Sequence, residues 1–455
     1  MKLKRVYQCS NCGAKSPKWI GHCPSCDQWN TYLEEIIDTS KSDQALRKAF
    51  RSQKIGLKPV LLKSIKKSGE KRLVTPDQEL NRALGGGLVP GSLILIGGQP
   101  GIGKSTLMMQ LALQMPAKIL YVSGEESEEQ IKMRADRIGI LHDLCYVLTE
   151  TDLLSVLDEV RSLEPDLVII DSIQTLTLPS LESIQGSISQ VRECTAEIQK
   201  YAKQTGIPFI LIGHINKEGM IAGPKVLEHI VDVVLQFEGD SLHAYRILRT
   251  RKNRFGSTDE MGLYEMQSNG LRQINNPSEL LLSQTEENLS GSAVCATMEG
   301  QRPVLLEVQA LVSTAIYGTA QRSATTFDSR RLSMMLAVLE KRVGLKFSTY
   351  DVYLNIAGGL RISDPALDLA VVAALVSSLQ DIPVDKNIAF AGEIGLSGEI
   401  RAVSRIEQRI QEAERLGFGK IFISSNNLKG LSKSKFKIKV IGLGKVNDVL
   451  SELFG

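Results

Sequence analysis

Residues 98–105 read Gly-Gln-Pro-Gly-Ile-Gly-Lys-Ser. That is the G-x-x-x-x-G-K-[ST] spacing of a loop that holds nucleoside triphosphate. Its glycines let backbone N–H groups close around phosphate oxygens with no Cβ in the way. Lys104 can reach the β- and γ-phosphates, and the Ser105 hydroxyl can ligate Mg²⁺. The candidate nucleotide-binding residues are Gly98, Gln99, Pro100, Gly101, Ile102, Gly103, Lys104, Ser105 and Thr106. Such a loop needs a carboxylate on a neighbouring strand for the Mg²⁺ water shell, and the apolar run Leu167–Ile170 ends in Asp171. Hydrolysis needs a group that polarises water. Glu125 and Glu126 follow the run Leu120–Gly124, and Glu125 is the favoured general base. Both glutamates also suit the first turn of a helix, where acidic side chains are stabilised. His214, at the end of Phe209–His214, stands where a γ-phosphate sensor would sit, and equally fits a satisfied loop histidine.

A second chemistry lies near the N-terminus, where Cys9-x2-Cys12-x10-Cys23-x2-Cys26 forms two C-x-x-C knuckles. Four thiols in this pattern suit one tetrahedral, structural Zn²⁺. A redox C-x-x-C would use one pair beside a βαβ pattern, which is absent here. His22 is then a bystander. Trp19 and Trp29, the two tryptophans, read as the small core of this module or as stacking surfaces for bases or a protein. Cys145, Cys194 and Cys295 read as core residues.

The elements that must position these groups follow from hydrophobic patterning. Leu93–Ile96 enters the phosphate loop as a buried strand and Thr106–Met115 leaves it as a helix. Further strands are expected at Ile119–Ser123, Leu167–Asp171, Phe209–His214 and Val231–Phe237, then at Val304–Ala310 and Asp351–Ile356, with a long apolar helix over Ala366–Leu379. The reading is an α/β chain: a zinc ribbon (1–37), a basic linker (38–58), a P-loop domain with a parallel sheet (59–274), a second linker (275–291) and a further α/β domain (292–455).

The 455 residues carry a net charge of +3 and 43% hydrophobic side chains, an ordinary globular balance. No apolar run reaches the ~20 residues of a membrane span, and Met-Lys-Leu-Lys-Arg opens no signal peptide. The expectation is a cytoplasmic protein without structural disulfides. Between Ser40 and Arg72 eleven Lys/Arg face Asp43 and Glu70. Such a segment can neutralise nucleic-acid phosphates or serve as a solvated linker, and charge alone does not choose between them.

These motifs, together with His214–Gly219, Ala222–Lys225 and above all Lys252-Asn253-Arg254-Phe255-Gly256, resemble the bacterial RadA (Sms) family of RecA-like recombination ATPases over the whole chain. The resemblance implies a DNA-dependent ATPase of homologous recombination and repair. It would be a homo-hexameric ring with helicase or branch-migration activity, moving on single-stranded and branched DNA and working with the RecA recombinase, with Mg²⁺–ATP and structural Zn²⁺. It assigns catalytic roles to Lys104, Glu125 and Asp171. Loops around Gln185–Val191 and Lys217–Lys225 would face DNA, with Lys217 and Lys225 as contacts. Lys252 and Arg254 would stand at a subunit boundary, touching a neighbour's nucleotide or DNA. From composition alone the pentapeptide is a basic turn after a strand.

Residues 292–455 resemble the proteolytic domain of Lon, through Gly358–Ala366 and Gly392–Arg401. A Lon-type protease is therefore the rival reading. Peptidase chemistry needs a Ser nucleophile and a Lys base. Alignment places Ala366 and Glu407 there, with Ser363 out of register, so an inactive scaffold is expected. Arg322, Arg330, Arg331, Lys341 and Arg342 could contact phosphate, or be solvated charges.

Overall fold

The structure, a computed structural model, describes residues 3–9, 14–25, 27–38, 61, 72–139, 143–214, 224–239, 245–276, 278, 281–282, 289–315, 320–357, 364–431 and 435–455. The chain divides into two compact units, Met1–Ile274 and Asn275–Gly455.

The first unit begins with a small antiparallel sheet of β1 (Leu3–Cys9), β2 (Lys15–Ser16) and β3 (Tyr32–Asp38), in the order β2-β1-β3. Its main sheet is built from β4 (Leu93–Gly98), β5 (Ile119–Ser123), β6 (Cys145–Thr149), β7 (Leu167–Asp171), β8 (Phe209–His214), β9 (Val233–Gly239), β10 (Tyr245–Asn253), β11 (Met261–Gln267) and β12 (Gly270–Gln273). The order is β12-β11-β10-β9-β4-β8-β7-β5-β6. β9, β4, β8, β7, β5 and β6 run parallel. β10, β11 and β12 continue this expected parallel sheet in the antiparallel sense. The antiparallel strands carry charged residues such as Arg249 and Arg251 between apolar ones, because their faces are not both covered.

The central strands read as unbroken apolar runs because helices cover both faces. Among the described residues this unit has helices α1 (Gln78–Leu84), α2 (Lys104–Gln114), α3 (Glu128–Ile138), α4 (Leu153–Leu163), α5 (Ile188–Thr205) and α6 (Pro224–Ile230). Ile119 and Tyr121 of β5 and Leu167 and Ile169 of β7 pack with Leu107 and Leu111 of α2 and Ile131 and Ala135 of α3. Their alternates Leu120, Val122, Val168 and Ile170 pack with Val156 of α4 and Ile198 of α5. Each fully buried aliphatic side chain contributes about 1.5–3 kcal/mol, so both layers hold the sheet. The helix after the phosphate loop runs Lys104–Gln114 rather than from Thr106.

The second unit contains a seven-stranded sheet of order β15-β16-β14-β13-β17-β20-β21. Its strands are β13 (Ser292–Glu299), β14 (Arg302–Thr314), β15 (Arg322–Thr325), β16 (Tyr350–Ile356), β17 (Ile388–Ala391), β20 (Lys420–Ser424) and β21 (Lys439–Leu443), with a separate pair β18 (Glu393–Ile394) and β19 (Ile400–Arg401). Its described helices include α7 (Ser329–Val338), α8 (Leu367–Gln380), α9 (Ile406–Arg415) and α10 (Val446–Phe454). The apolar helix expected over Ala366–Leu379 is α8, buried along Leu367–Ser377 and packed on β13, β14 and β17.

Candidate functional site

The phosphate loop leaves the C-terminal end of β4 and opens α2, with Gly103 as N-cap at φ 113°. Gly98 is closed in by β9: a Cβ there would lie 2.8 Å from the Phe237 carbonyl oxygen. Lys104 is buried and donates to the carbonyl oxygens of Gly98 (2.8 Å) and Gln99 (2.9 Å). Its Nζ also lies 3.4 Å from His214 Nδ1. Burial lowers its pKa to about 8, against the opposing pull of Asp171 and Glu125. The ammonium is thus parked on loop carbonyls, within reach of any phosphate the loop would hold.

The parallel order puts the ends of β5, β7 and β8 beside this loop. Asp171 ends β7, buried, and its Oδ2 accepts the Tyr121 hydroxyl at 2.7 Å. Among the described residues its Oδ1 accepts no hydrogen bond. The next residue, Ser172, donates from Oγ to Glu125 Oε1 at 2.7 Å, and His214 Nε2 lies 3.5 Å from that oxygen. Glu125 is held by a tight turn: a Cβ at Gly124 would come 2.1 Å from Thr175 Oγ1. Lys104, Asp171, Glu125 and His214 therefore converge, as their strand-end positions led one to expect.

The two glutamates differ in their partners. Glu126 is bound by Arg134, whose Nη1 stands 3.9 Å from Asp171. Burial raises the Glu126 pKa, with Arg134 opposing. Among the described residues Glu125 carries only the Ser172 and His214 contacts, and it is 46% exposed, so it is the carboxylate open to water. Neither caps a helix, since Ser127 caps α3 in a capping box with Gln130. Donors around the loop, the Ser105 hydroxyl and the Asp171 carboxylate, are hard oxygens that suit Mg²⁺. Tyr121, Arg134 and Arg246 were not legible as site residues. Arg246 on β10 donates to the loop carbonyl of Ile102 at 3.3 Å.

Of the residues expected to face DNA, Lys217 lies outside the described residues, as does the Lys225 side chain. The stretch Gln185–Val191 is not all loop. Ser187 caps α5, and Gln190 is buried, its amide donating to the carbonyls of Leu181 and Ser183.

The pentapeptide is not a free basic turn. Lys252 and Asn253 end β10, paired with Val234 and Val233 at the start of β9, the end of the strands away from the phosphate loop. Lys252 pairs three residues, about 10 Å of strand, before the Phe237 position that faces Gly98. Its Nζ donates to the carbonyls of Glu228 and, at 2.8 Å, Val231, and so closes the C-terminal end of α6. Burial, then the Arg254 charge, lowers its pKa. Arg254 pairs with Asp232 at 3.2 Å, Asn253 donates to the Leu84 carbonyl, Phe255 packs on the core, and Gly256 sits against Gly85.

In the N-terminal module Cys9 and Cys23 are fully buried, their sulfurs 3.1 Å from Thr31 Oγ1 and 3.6 Å from Tyr32 Oη. The Asp27 N–H donates to the Cys23 carbonyl at 2.9 Å, closing a turn after Cys23. Cys12 and Cys26 lie outside the described residues. Two buried thiols with this turn fit one half of a four-thiol Zn²⁺ site. The expectation that Trp19 and Trp29 form the core is corrected. They are 53% and 71% exposed, and the core is Cys9, Cys23 and Tyr32 with Tyr7, Ala14 and Ile20. The module is too thin to enclose an indole; Trp19 lies over it, donating to the Tyr32 carbonyl, and Trp29 meets the His22 ring.

In the second unit Ala366 is buried and N-caps α8, and Glu407 is half exposed and paired with Lys435. Ser363 lies outside the described residues. Arg409, buried, bonds Asp364 at 2.6 Å beside Ala366. Arg331 is not a solvated charge: its Nε and Nη2 both donate to Asp368.

Three family models match: the AAA domain over residues 64–220, the rubredoxin metal binding domain over 7–34, and the Lon protease (S16) C-terminal proteolytic domain over 331–455. The DNA repair protein RadA of Bacillus subtilis (strain 168) is 49% identical across 100% of this chain and 99% of its own length. The chain belongs to the RadA family. Another family member, from Listeria monocytogenes, is 49% identical over 99% of both chains. A KaiC-like protein from Pyrococcus horikoshii aligns with 45% of this chain at 18% identity and a TM-score of 0.38. The family carries a zinc-ribbon type N-terminus, an ATPase-type P-loop domain and a Lon-like C-terminal domain. No helix of the described residues is long and apolar enough to cross a membrane.

Proposed function

We propose that this chain is a DNA-dependent ATPase of homologous recombination and DNA repair. It would assemble as a homo-hexameric ring that moves on single-stranded DNA, extends branches and acts with a recombinase filament in the cytoplasm. In this reading 1–37 binds Zn²⁺, 38–58 is a basic linker, 59–274 hydrolyses ATP, and 292–455 follows a second linker as a scaffold without peptidase activity. The observation that carries the reading is the contact of His214 with both Lys104 and Glu125, directly before residues 215–223.

The chemistry follows from those contacts. Lys104 leaves the loop carbonyls for the β- and γ-phosphates, where its charge stabilises the transferring phosphoryl group. Mg²⁺, bound with the nucleotide, supplies further charge neutralisation near Ser105 and Asp171. Glu125 takes a proton from the attacking water, with Ser172 fixing its carboxylate. His214 loses or gains the Lys104 contact as the γ-phosphate comes and goes, and passes that change to the chain that follows it. Lys217 and Lys225 would then meet DNA phosphate. A forked-DNA extension assay with and without the recombinase tests this reading. ATP-dependent extension is expected, abolished by Lys104→Ala, and extension independent of ATP refutes it. The protease reading fails on its own atoms, because the Ala366 side chain has no nucleophile.

A further inference from the structure

Tyr121 is buried beside Ile119, Leu167 and Ile169. A phenol hydroxyl buried there costs free energy unless it is bonded. Phenylalanine would fill the same space without that cost. Among the described residues the hydroxyl has one partner, Asp171 Oδ2, at 2.7 Å. Arg134 is a parallel case. It lies on the face of α3 that buries Ile131, Ala135 and Ile138. Its Nη1 is fully buried and makes no hydrogen bond, yet it stands 3.9 Å from the same Asp171 oxygen. Two costly polar groups, from β5 and α3, are thus spent on one side of one carboxylate. An aspartate rotates broadly about its terminal torsion. Holding Oδ2 fixes that rotation and turns Oδ1 outward.

We infer that Tyr121 and Arg134 are positioning residues, which orient Asp171 so that its free Oδ1 meets the hydrated metal of the nucleotide complex. The inference rests on the nucleotide reading of the site and deepens it. Arg134 has a second task in the same geometry: it ties back Glu126, leaving Glu125 as the carboxylate open to water.

The test uses the full-length protein with a non-hydrolysable ATP analogue. Mn²⁺ binding is read by electron paramagnetic resonance, and analogue binding without metal by fluorescence. Tyr121→Phe keeps the volume and removes the hydroxyl. Removing a partner that orients a metal-binding side chain weakens metal affinity by about 10–100-fold, so Mn²⁺ binding should fall at least about tenfold on that principle. Metal-free analogue affinity and melting temperature should stay at wild type. Arg134→Gln should weaken Mn²⁺ in the same direction, and Arg134→Lys should restore part of it. Wild-type Mn²⁺ affinity in Tyr121→Phe overturns the inference. So does an equal loss of metal-free binding, which would mark a packing role. If the wild type itself shows no metal-assisted analogue binding, the site reading falls and takes this inference with it.

Discussion

Raising the pH from 7 to 9 should weaken nucleotide binding about tenfold through Lys104 alone, by proton linkage. The free protein holds this lysine buried on the Gly98 and Gln99 carbonyls, with its pKa lowered to about 8. Bound phosphates would favour the ammonium and raise that pKa well above the window, so binding takes up a proton. With a free-state value of about 8, roughly nine-tenths of the lysine is charged at pH 7 and roughly one-tenth at pH 9. The ratio is about tenfold in affinity, or ~1.4 kcal/mol. Stability runs the other way. The unfolded lysine binds its proton more tightly than the folded one, so the cost of burying the charge is fully present below about pH 8. It is relieved as pH rises toward the ordinary value of 10.5. The assay is titration with a fluorescent ATP analogue across the window, with calorimetry in two buffers to count protons. Lys104→Arg stays charged throughout and should flatten the profile, whatever its absolute affinity. A wild-type affinity that is flat from pH 7 to 9, with no proton uptake at pH 8, would refute the argument.

Other expectations follow from single contacts. Gly124→Ala places a methyl group 2.1 Å from Thr175 Oγ1, so it should cost about 1–3 kcal/mol of stability and misplace Glu125, read as a lower melting temperature and slowed turnover. Lys252→Ala removes two bonds from the end of α6; at about 1 kcal/mol each it should lower the denaturation midpoint while nucleotide affinity holds, and an unchanged midpoint would return Lys252 to the role of a free surface cation. Metal analysis should find about one zinc per chain, lost in Cys23→Ser. Ala366→Ser should not create peptidase activity, because Glu407 pairs with Lys435 and supplies no lysine base.

The parallel core was legible because strands covered on both faces spell continuous apolar runs that end in the residues of the site. Gly98–Thr106, Asp171 and Glu125 were readable from local spacing. The antiparallel strands β10–β12 were not, since their patterns mix charges such as Arg249 with apolar residues. Tyr121 was hidden for the opposite reason: inside an apolar strand a tyrosine reads as packing, and its role depends on Asp171, fifty residues away. The bonds of Lys252 were not legible because a cation beside Arg254 looks solvated until α6 brings its carbonyls. The tryptophans misled through composition. The small core of Cys9, Cys23 and Tyr32 has no room left for indoles, so they lie outside.

The central claim is that the phosphate loop of the first unit hydrolyses ATP in response to DNA. Steady-state phosphate release by the full-length protein, with and without single-stranded DNA, tests it most directly against Lys104→Ala and Glu125→Gln. The account predicts turnover stimulated by DNA in the wild type and lost in both variants, with Glu125→Gln still binding nucleotide. Wild-type turnover in either variant, or turnover indifferent to DNA, would contradict it.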